Sequence, residues 1–250
     1  MNRMTCVATL VAALGLSGCA QDGSFDSNKA MAVGMGVAQA VTLNEESVQH
    51  TASLAAKEMD SKNQVASAAN PYAQRLANIT AGLDNYRGMK FDFKVYIAPE
   101  VNAFAMADGT VRVYSGLLDA MPDDQVLAVI GHEIGHVYHK HSYQQMQQKI
   151  LSDSAMQAAV SVGGTVGELT QGQLGQLAYV AVNARFSQQD ELESDTFAVK
   201  MLKNLDKDPY AMKRAIQTLE SKYGSDSSFL SSHPSNKERI KRIQKAIDRG

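Results

Sequence analysis

The spacing of hydrophobic and polar positions changes character along the chain, from helical to alternating and back to helical. From Asn44, the apolar residues Val48, Leu54 and Ala55 share one helical face. A second helix is expected at Asn70-Pro71, with Asn as N-cap and Pro in the first turn. Tyr72, Leu76, Ile79 and Leu83 repeat at helical spacing beyond it. The period then drops to two: Phe91, Phe93, Val95 and Ile97 alternate with polar residues, as in a strand. Two further β-prone runs, Asn102 to Ala107 and Thr110 to Tyr114, flank Asp108-Gly109, which signals a hairpin. From Pro122 onward the pattern is almost wholly helical. One helix is expected from about Asp123 to about His141, then a Gln-rich amphipathic helix broken near Gly163-Gly164. Others are expected over about 170–184, 188–204, 209–223 and 235–249. Ser235 and Glu238 form a capping box for the last, and Ile240, Ile243 and Ile247 form its buried stripe. Helices, a small antiparallel sheet and then many helices make an α+β, mostly helical fold.

The first residues have a different character. Arg3 precedes an apolar run to Leu14, and Leu16-Ser17-Gly18-Cys19 follows. That is the layout of a secretory signal, and its last four residues resemble the bacterial lipoprotein box. Residues 1–18 would then be removed, Cys19 would carry lipid, and residues 19–43, small and Gly/Ala-rich, would be a tether to a domain over 44–250. An ordinary secretory signal and a short membrane helix are the other readings, although the apolar run falls short of the ~20 residues a span needs. Residues 30–37 are apolar but short, and are expected to pack on the domain. The chain has two cysteines, Cys6 and Cys19. Neither is free to make a disulfide in the lipoprotein reading, which leaves stability to a core or a metal. A net charge of −2 with both signs interspersed gives no sign of a nucleic-acid surface.

Candidate chemistry sits on the helix expected after Pro122. His132-Glu133-Ile134-Gly135-His136 places two imidazoles four residues apart on one helical face, where both can reach one ion at ~2.0–2.1 Å. Glu133 points beside that ion, where a carboxylate can take a proton from water. Val129, Ile130, Ile134 and Val137 around the motif argue for a buried helix, in which polar groups need partners. A catalytic zinc usually has three protein ligands. The downstream candidates are Glu191 and Asp195, four apart on a helix. One can bind the ion and the other can accept the free N–H of a ligand histidine, although an acidic run also suits a solvated helix start. Glu193 points elsewhere. His139 and His141, beside Lys140, are read as surface histidines or as partners of the ligands.

An H-E-x-x-H followed some 55 residues later by E-x-x-x-D resembles the gluzincin metallopeptidases, and among them the HtpX and CAAX-prenyl-protease-like family. The resemblance also rests on Asn102-Ala103-Phe104-Ala105, Val111 to Leu118, Arg185 to Asp195, and Ser232-His233-Pro234 with Arg239 six residues after the histidine. It spans roughly residues 70–245. With the signal at Cys19, the chain is similar to the periplasmic lipoprotein peptidases of that family. The resemblance implies a zincin-like domain with one zinc ion on His132, His136 and Glu191. It makes Glu133 the general base and Asp195 the partner of a ligand histidine. His233 is implied near the metal, either donating to the oxyanion or as a fourth ligand. Arg239 is expected to steady Glu191 or the substrate. Asn102, Ala103 and Phe104 are expected to form an edge strand that pairs with extended substrate backbone. The expected activity is hydrolysis of misfolded or unassembled envelope polypeptides, by an enzyme anchored through Cys19 to the outer membrane and facing the periplasm. Ala20 favours the outer over the inner membrane. Envelope proteins are the expected partners. The rival reading is a zinc-binding lipoprotein that acts mainly as a chaperone or assembly factor for outer-membrane proteins. Tyr143 to Gln176, rich in Gln, is the candidate lid or partner surface.

Overall fold

The computed structural model describes residues 44–153, 155–156, 169–224, 228–235 and 237–249. The signal, Cys19, the tether, the apolar stretch at 30–37 and the break at Gly163-Gly164 lie outside them. Helix α1 (Glu45–Lys62) opens where Asn44 accepts the Ser47 N–H at 2.8 Å. Helix α2 (Pro71–Ile79) opens where Asn70 accepts from Tyr72 N–H at 2.9 Å. A two-residue ribbon, β1 (Asn85–Tyr86) with β2 (Met89–Lys90), leads into β3 (Asp92–Tyr96). Strands β4 (Ala103–Ala105) and β5 (Thr110–Tyr114) form the expected hairpin. Gly109 closes its turn at φ +87°, where a Cβ would lie 2.0 Å from the Lys90 carbonyl oxygen.

The main sheet has the order β3-β5-β4. The expected antiparallel pairing holds for β4 and β5, but β3 joins β5 in parallel, so this sheet is mixed. Both of its faces are covered. Val95, Ala103, Ala105, Val111 and Val113 enter one apolar core, and Tyr96, Phe104 and Tyr114 enter a second. Arg112, 1 % exposed, lies on the second face and is bonded to Asp60 of α1 at 2.8 and 2.9 Å. Lys94 (2.7 Å) and the Tyr96 hydroxyl (2.8 Å) donate to the same carboxylate.

Burial alone would raise the Asp60 pKa, but bonds from Arg112, Lys94 and Tyr96 outweigh it and bring it down to about 2. A carboxylate depressed in the folded state stabilises it above the unfolded pKa and loses that contribution as pH falls through the folded one. Compared with Asp60→Asn, the wild-type chain should lose about 1–2 kcal/mol of relative stability between pH 4 and pH 2, allowing for partial solvent screening. Urea unfolding of both proteins at the two pH values checks this. An unchanging difference would contradict the Asp60 assignment.

The rest is helical: α3 (Ser115–Ala120), α4 (Asp123–Tyr138), α5 (His141–Ser152), α6 (Gln171–Val182), α7 (Gln188–Asn204), α8 (Tyr210–Tyr223), α9 (Ser228–Ser232) and α10 (Lys237–Asp248). Three expectations are corrected. The helix expected to reach His141 ends at Tyr138, because Lys140 takes φ +62° and a new helix starts after it. The last helix is described from Lys237 and not from 235, and the Ser235 hydroxyl donates to Glu220. Of the apolar positions on the first helix, Leu54 is only half-buried while Val48 and Ala55 are fully buried. No described helix is long and apolar enough to cross a membrane. The most extensive helix packing is α4 on α7. Gly135 permits it, since a Cβ there would lie 2.9 Å from the Ser194 Cα. That close approach brings the carboxylates of α7 under the histidines of α4.

Candidate active site

Helix α4 is buried from Gln125 to His136, with Val129, Ile130 and Ile134 at 0 % exposure. His132, Glu133 and His136 are therefore polar side chains inside an apolar helix, and unpaired burial of such groups costs several kcal/mol. Their partners come from three other elements. Helix α7 starts with a reciprocal cap between Ser187 and Asp190, and delivers Glu191 and Asp195 on one face. His233 follows α9, and Arg239 comes from α10.

The inward atoms converge. His132 Nε2 lies 3.0 Å from His136 Nε2, 3.3 Å from His233 Nδ1 and 3.4 Å from Glu191 Oε2. His136 Nε2 lies 3.5 Å from Glu191 Oε1, which is 2.9 Å from His233 Nδ1. Donor atoms held ~2.0–2.1 Å from a tetrahedral ion are about 3.3 Å apart, close to these separations. His132, His136, Glu191 and His233 each offer an atom within 4.8 Å of all the others. One buried carboxylate oxygen at the same place, Glu133 Oε1, accepts no hydrogen bond. A buried oxygen without a donor, beside four converging nitrogen and carboxylate donors, fits a bound cation, so the donor set suits a divalent metal ion.

The sequence profile of peptidase family M48 matches residues 67–247. The chain belongs to this family. Two curated relatives from Escherichia coli (strain K12) match nearly end to end. Metalloprotease LoiP is 40% identical over 244 residues, 97% of this chain and 95% of that protein. Metalloprotease YcaL is 37% identical over 251 residues, 100% of this chain and 99% of that protein. The beta-barrel assembly-enhancing protease of the same organism is 28% identical over 161 residues, which cover 60% of this chain and 33% of that protein. The enzyme class of this M48 chain is metalloendopeptidase. This agrees with the resemblance read from the sequence.

Electrostatics sorts the M48 residues into roles. Burial raises the pKa of Glu133, with the charges of His233 and His132 opposing it. Burial would also raise Glu191, but the nearby charge of His233 and bonds from His132, His136 and His233 hold it well below the usual range. Desolvation pushes His136 well down, toward a neutral ring with a free lone pair. Burial opposes charge on His132, yet bonds to Asp195 and Glu191 lift it to about 9. The same carboxylates that attract that proton attract a cation. His132 Nδ1 meets Asp195 Oδ1 at 2.9 Å, the arrangement that orients a ligand histidine. Arg239, fully buried, grips Asp195 through two bonds at 2.7 and 2.8 Å. It pairs with Glu191 at 2.8 Å and donates to the His233 carbonyl at 2.9 Å.

Strand β4 is at the edge of the sheet, beside α4. Phe104 turns into the second core, with ring centroids 6.4 Å from Tyr96 and from Tyr114. The chemistry on the outer side of β4 is backbone. Ala103 N–H donates to its neighbour Asn102 Oδ1 at 2.9 Å, and Ala105 C=O accepts from Ser142 at 3.1 Å. Asn102 also lines a cavity of about 600 Å³ with Tyr114, Tyr179, Arg185, Ser231 and Ser232. Phe186 was not singled out in the sequence. Its ring stacks on His136 at 3.8 Å and on His233 at 5.5 Å. The ring lying over the histidines thus comes from the α6–α7 connection, beyond the Gln-rich stretch expected to supply a lid. Part of that stretch lies outside the described residues. Of the remaining histidines, His139 is half-exposed, and His141 is buried against His136. Glu193 bonds Gln189 at 2.6 Å, away from the cluster.

Proposed function

We propose that this metallopeptidase is a zinc-dependent endopeptidase of the bacterial cell envelope that hydrolyses misfolded or unassembled polypeptides. The observation that carries the zinc reading is the buried group of His132, His136, Glu191 and His233 beside the unpaired oxygen of Glu133. Nitrogen and carboxylate donors in a compact set, with no thiolate, suit a catalytic zinc. When bound, the ion acidifies water and polarises the scissile carbonyl.

The chain's own groups do the rest. His132, His136 and Glu191 would hold the ion, with His233 within reach as a fourth donor. Glu133 takes a proton from the attacking water and returns it to the leaving nitrogen, a role suited to a carboxylate whose pKa burial has raised. Asp195 fixes the His132 ring, and Arg239 fixes Asp195 and Glu191. The outer edge of β4 offers the Ala103 amide to extended substrate once Asn102 releases it, which reads backbone and not side chains. Phe186 covers one face of the His136 ring and so limits how that ring can tilt.

The envelope assignment rests on Leu16-Ser17-Gly18-Cys19, with lipid on Cys19 and Ala20 favouring the outer membrane. The name of the beta-barrel assembly-enhancing protease favours a second reading, in which the chain assists outer-membrane protein assembly. The intact Glu133 favours hydrolysis. The test is casein digestion by the mature chain before chelation, after it, and after return of one equivalent of zinc. Digestion should stop and then recover. Digestion that survives metal removal would overturn the proposal.

A further inference from the structure

The two histidines of the H-E-x-x-H motif are supported differently. The outer nitrogen of His132 meets a carboxylate directly, Asp195 at 2.9 Å. The outer nitrogen of His136, Nδ1, meets another imidazole: His141 Nδ1, 3.2 Å away. Both rings are buried, His136 at 0 % and His141 at 5 % exposure. The far nitrogen of His141, Nε2, lies 3.4 Å from Glu193 Oε2 and 3.4 Å from Asp190 Oδ1, two carboxylates near the start of α7.

Network logic assigns the protons. If His136 binds an ion through Nε2, its Nδ1 carries hydrogen and needs an acceptor. The only atom of His141 placed to accept it is Nδ1. His141 then carries its own hydrogen on Nε2, pointing at Glu193 and Asp190. Every donor in this chain of rings faces an acceptor. His141 reaches its place only because the chain breaks at Lys140. Five residues along an unbroken helix it would point away from His136, whereas the left-handed turn at Lys140 starts α5 and folds the ring back.

We propose that His141 is a positioning residue for the metal ligand His136, accepting its Nδ1–H and anchored in turn by Glu193 and Asp190. It does not touch the ion. It holds the tautomer and the plane of the His136 ring, the service that Asp195 performs for His132. The α7 helix thereby supports both histidines, through Asp195 on one side and through Glu193 and Asp190 on the other. The inference rests on the metal site proposed above.

The test is zinc affinity of the mature chain, measured by competition with a chromogenic chelator, for wild type, His141→Leu and His141→Asn. Leu removes the acceptor at similar bulk. Asn returns an amide oxygen near the position of Nδ1. His141→Leu should weaken zinc binding by roughly 10–100-fold, the usual effect of losing such a partner, while its far-UV circular dichroism stays wild-type. His141→Asn should recover to within a few-fold of wild type. If Leu binds zinc as tightly as wild type, or Asn binds as weakly as Leu, the inference fails. If the Leu variant does not fold, the Asn variant alone decides, and tenfold-weakened binding there also sinks it. A wild-type chain that binds no zinc would instead overturn the metal site itself, and this inference with it.

Discussion

Glu133→Gln is expected to lower casein cleavage by roughly 10²–10⁴-fold, the usual contribution of a general acid–base. Glutamine keeps the size of the side chain and its place on α4, between His132 and Ile134. It cannot take a proton from water. Folding should be spared for a physical reason: Glu133 Oε1 accepts no hydrogen bond, and burial already disfavours the charge on this carboxylate. The neutral amide removes that cost. Cleavage by the variant at more than about a tenth of the wild-type rate would place the base elsewhere.

The second large effect is on stability. Arg239→Met should destabilise the fold by about 3–5 kcal/mol, measured by urea unfolding, because breaking a buried pair strands its partner. The guanidinium is fully buried and is the shared partner of Asp195 and Glu191. Attraction from Arg239 is the main force that keeps the buried Asp195 pKa below its ordinary value despite desolvation. Adding Asp195→Asn to the variant should restore part of the loss, since one of the stranded charges disappears with it. A loss below about 1 kcal/mol in the single variant would mean that water or another cation replaces Arg239.

Local chemistry is what the sequence states most clearly. Asn70 caps its helix where its side chain predicts, because a cap is a contact within three residues. Asp108-Gly109 turns the hairpin for the same reason, with Asp108 accepting from Thr110 N–H at 3.1 Å. Four-residue spacing brought His132 with His136 and Glu191 with Asp195 onto common faces. What it could not give was the approach of those faces, which depends on Gly135 meeting the backbone of Ser194.

The features that escaped the sequence depend on distant contacts. The parallel pairing of β3 with β5 joins strands separated by the whole of β4, and no turn signal encodes it. The break at Lys140 uses a left-handed residue that is not glycine, in a His-Lys-His run of ordinary helical composition. With the helix drawn straight through, His141 stays open between a surface histidine and a partner of the ligands; the break is what buries it against His136. Phe186 carries no local signal either. It matters because it precedes the Ser187 cap of the helix that carries Glu191, so the ring falls across His136.

The most direct test of the central claim is to count metal in the Glu133→Gln protein. By elemental analysis, Glu133→Gln and wild type purified with zinc should each hold about one zinc ion per chain, as expected for a single mononuclear site. His136→Ala, which removes a ligand, should hold far less. Such a result would separate binding from chemistry: the ligand set intact, the proton carrier gone. If Glu133→Gln loses its zinc along with its activity, or if His136→Ala retains it, the division of roles between these neighbouring residues of α4 is wrong.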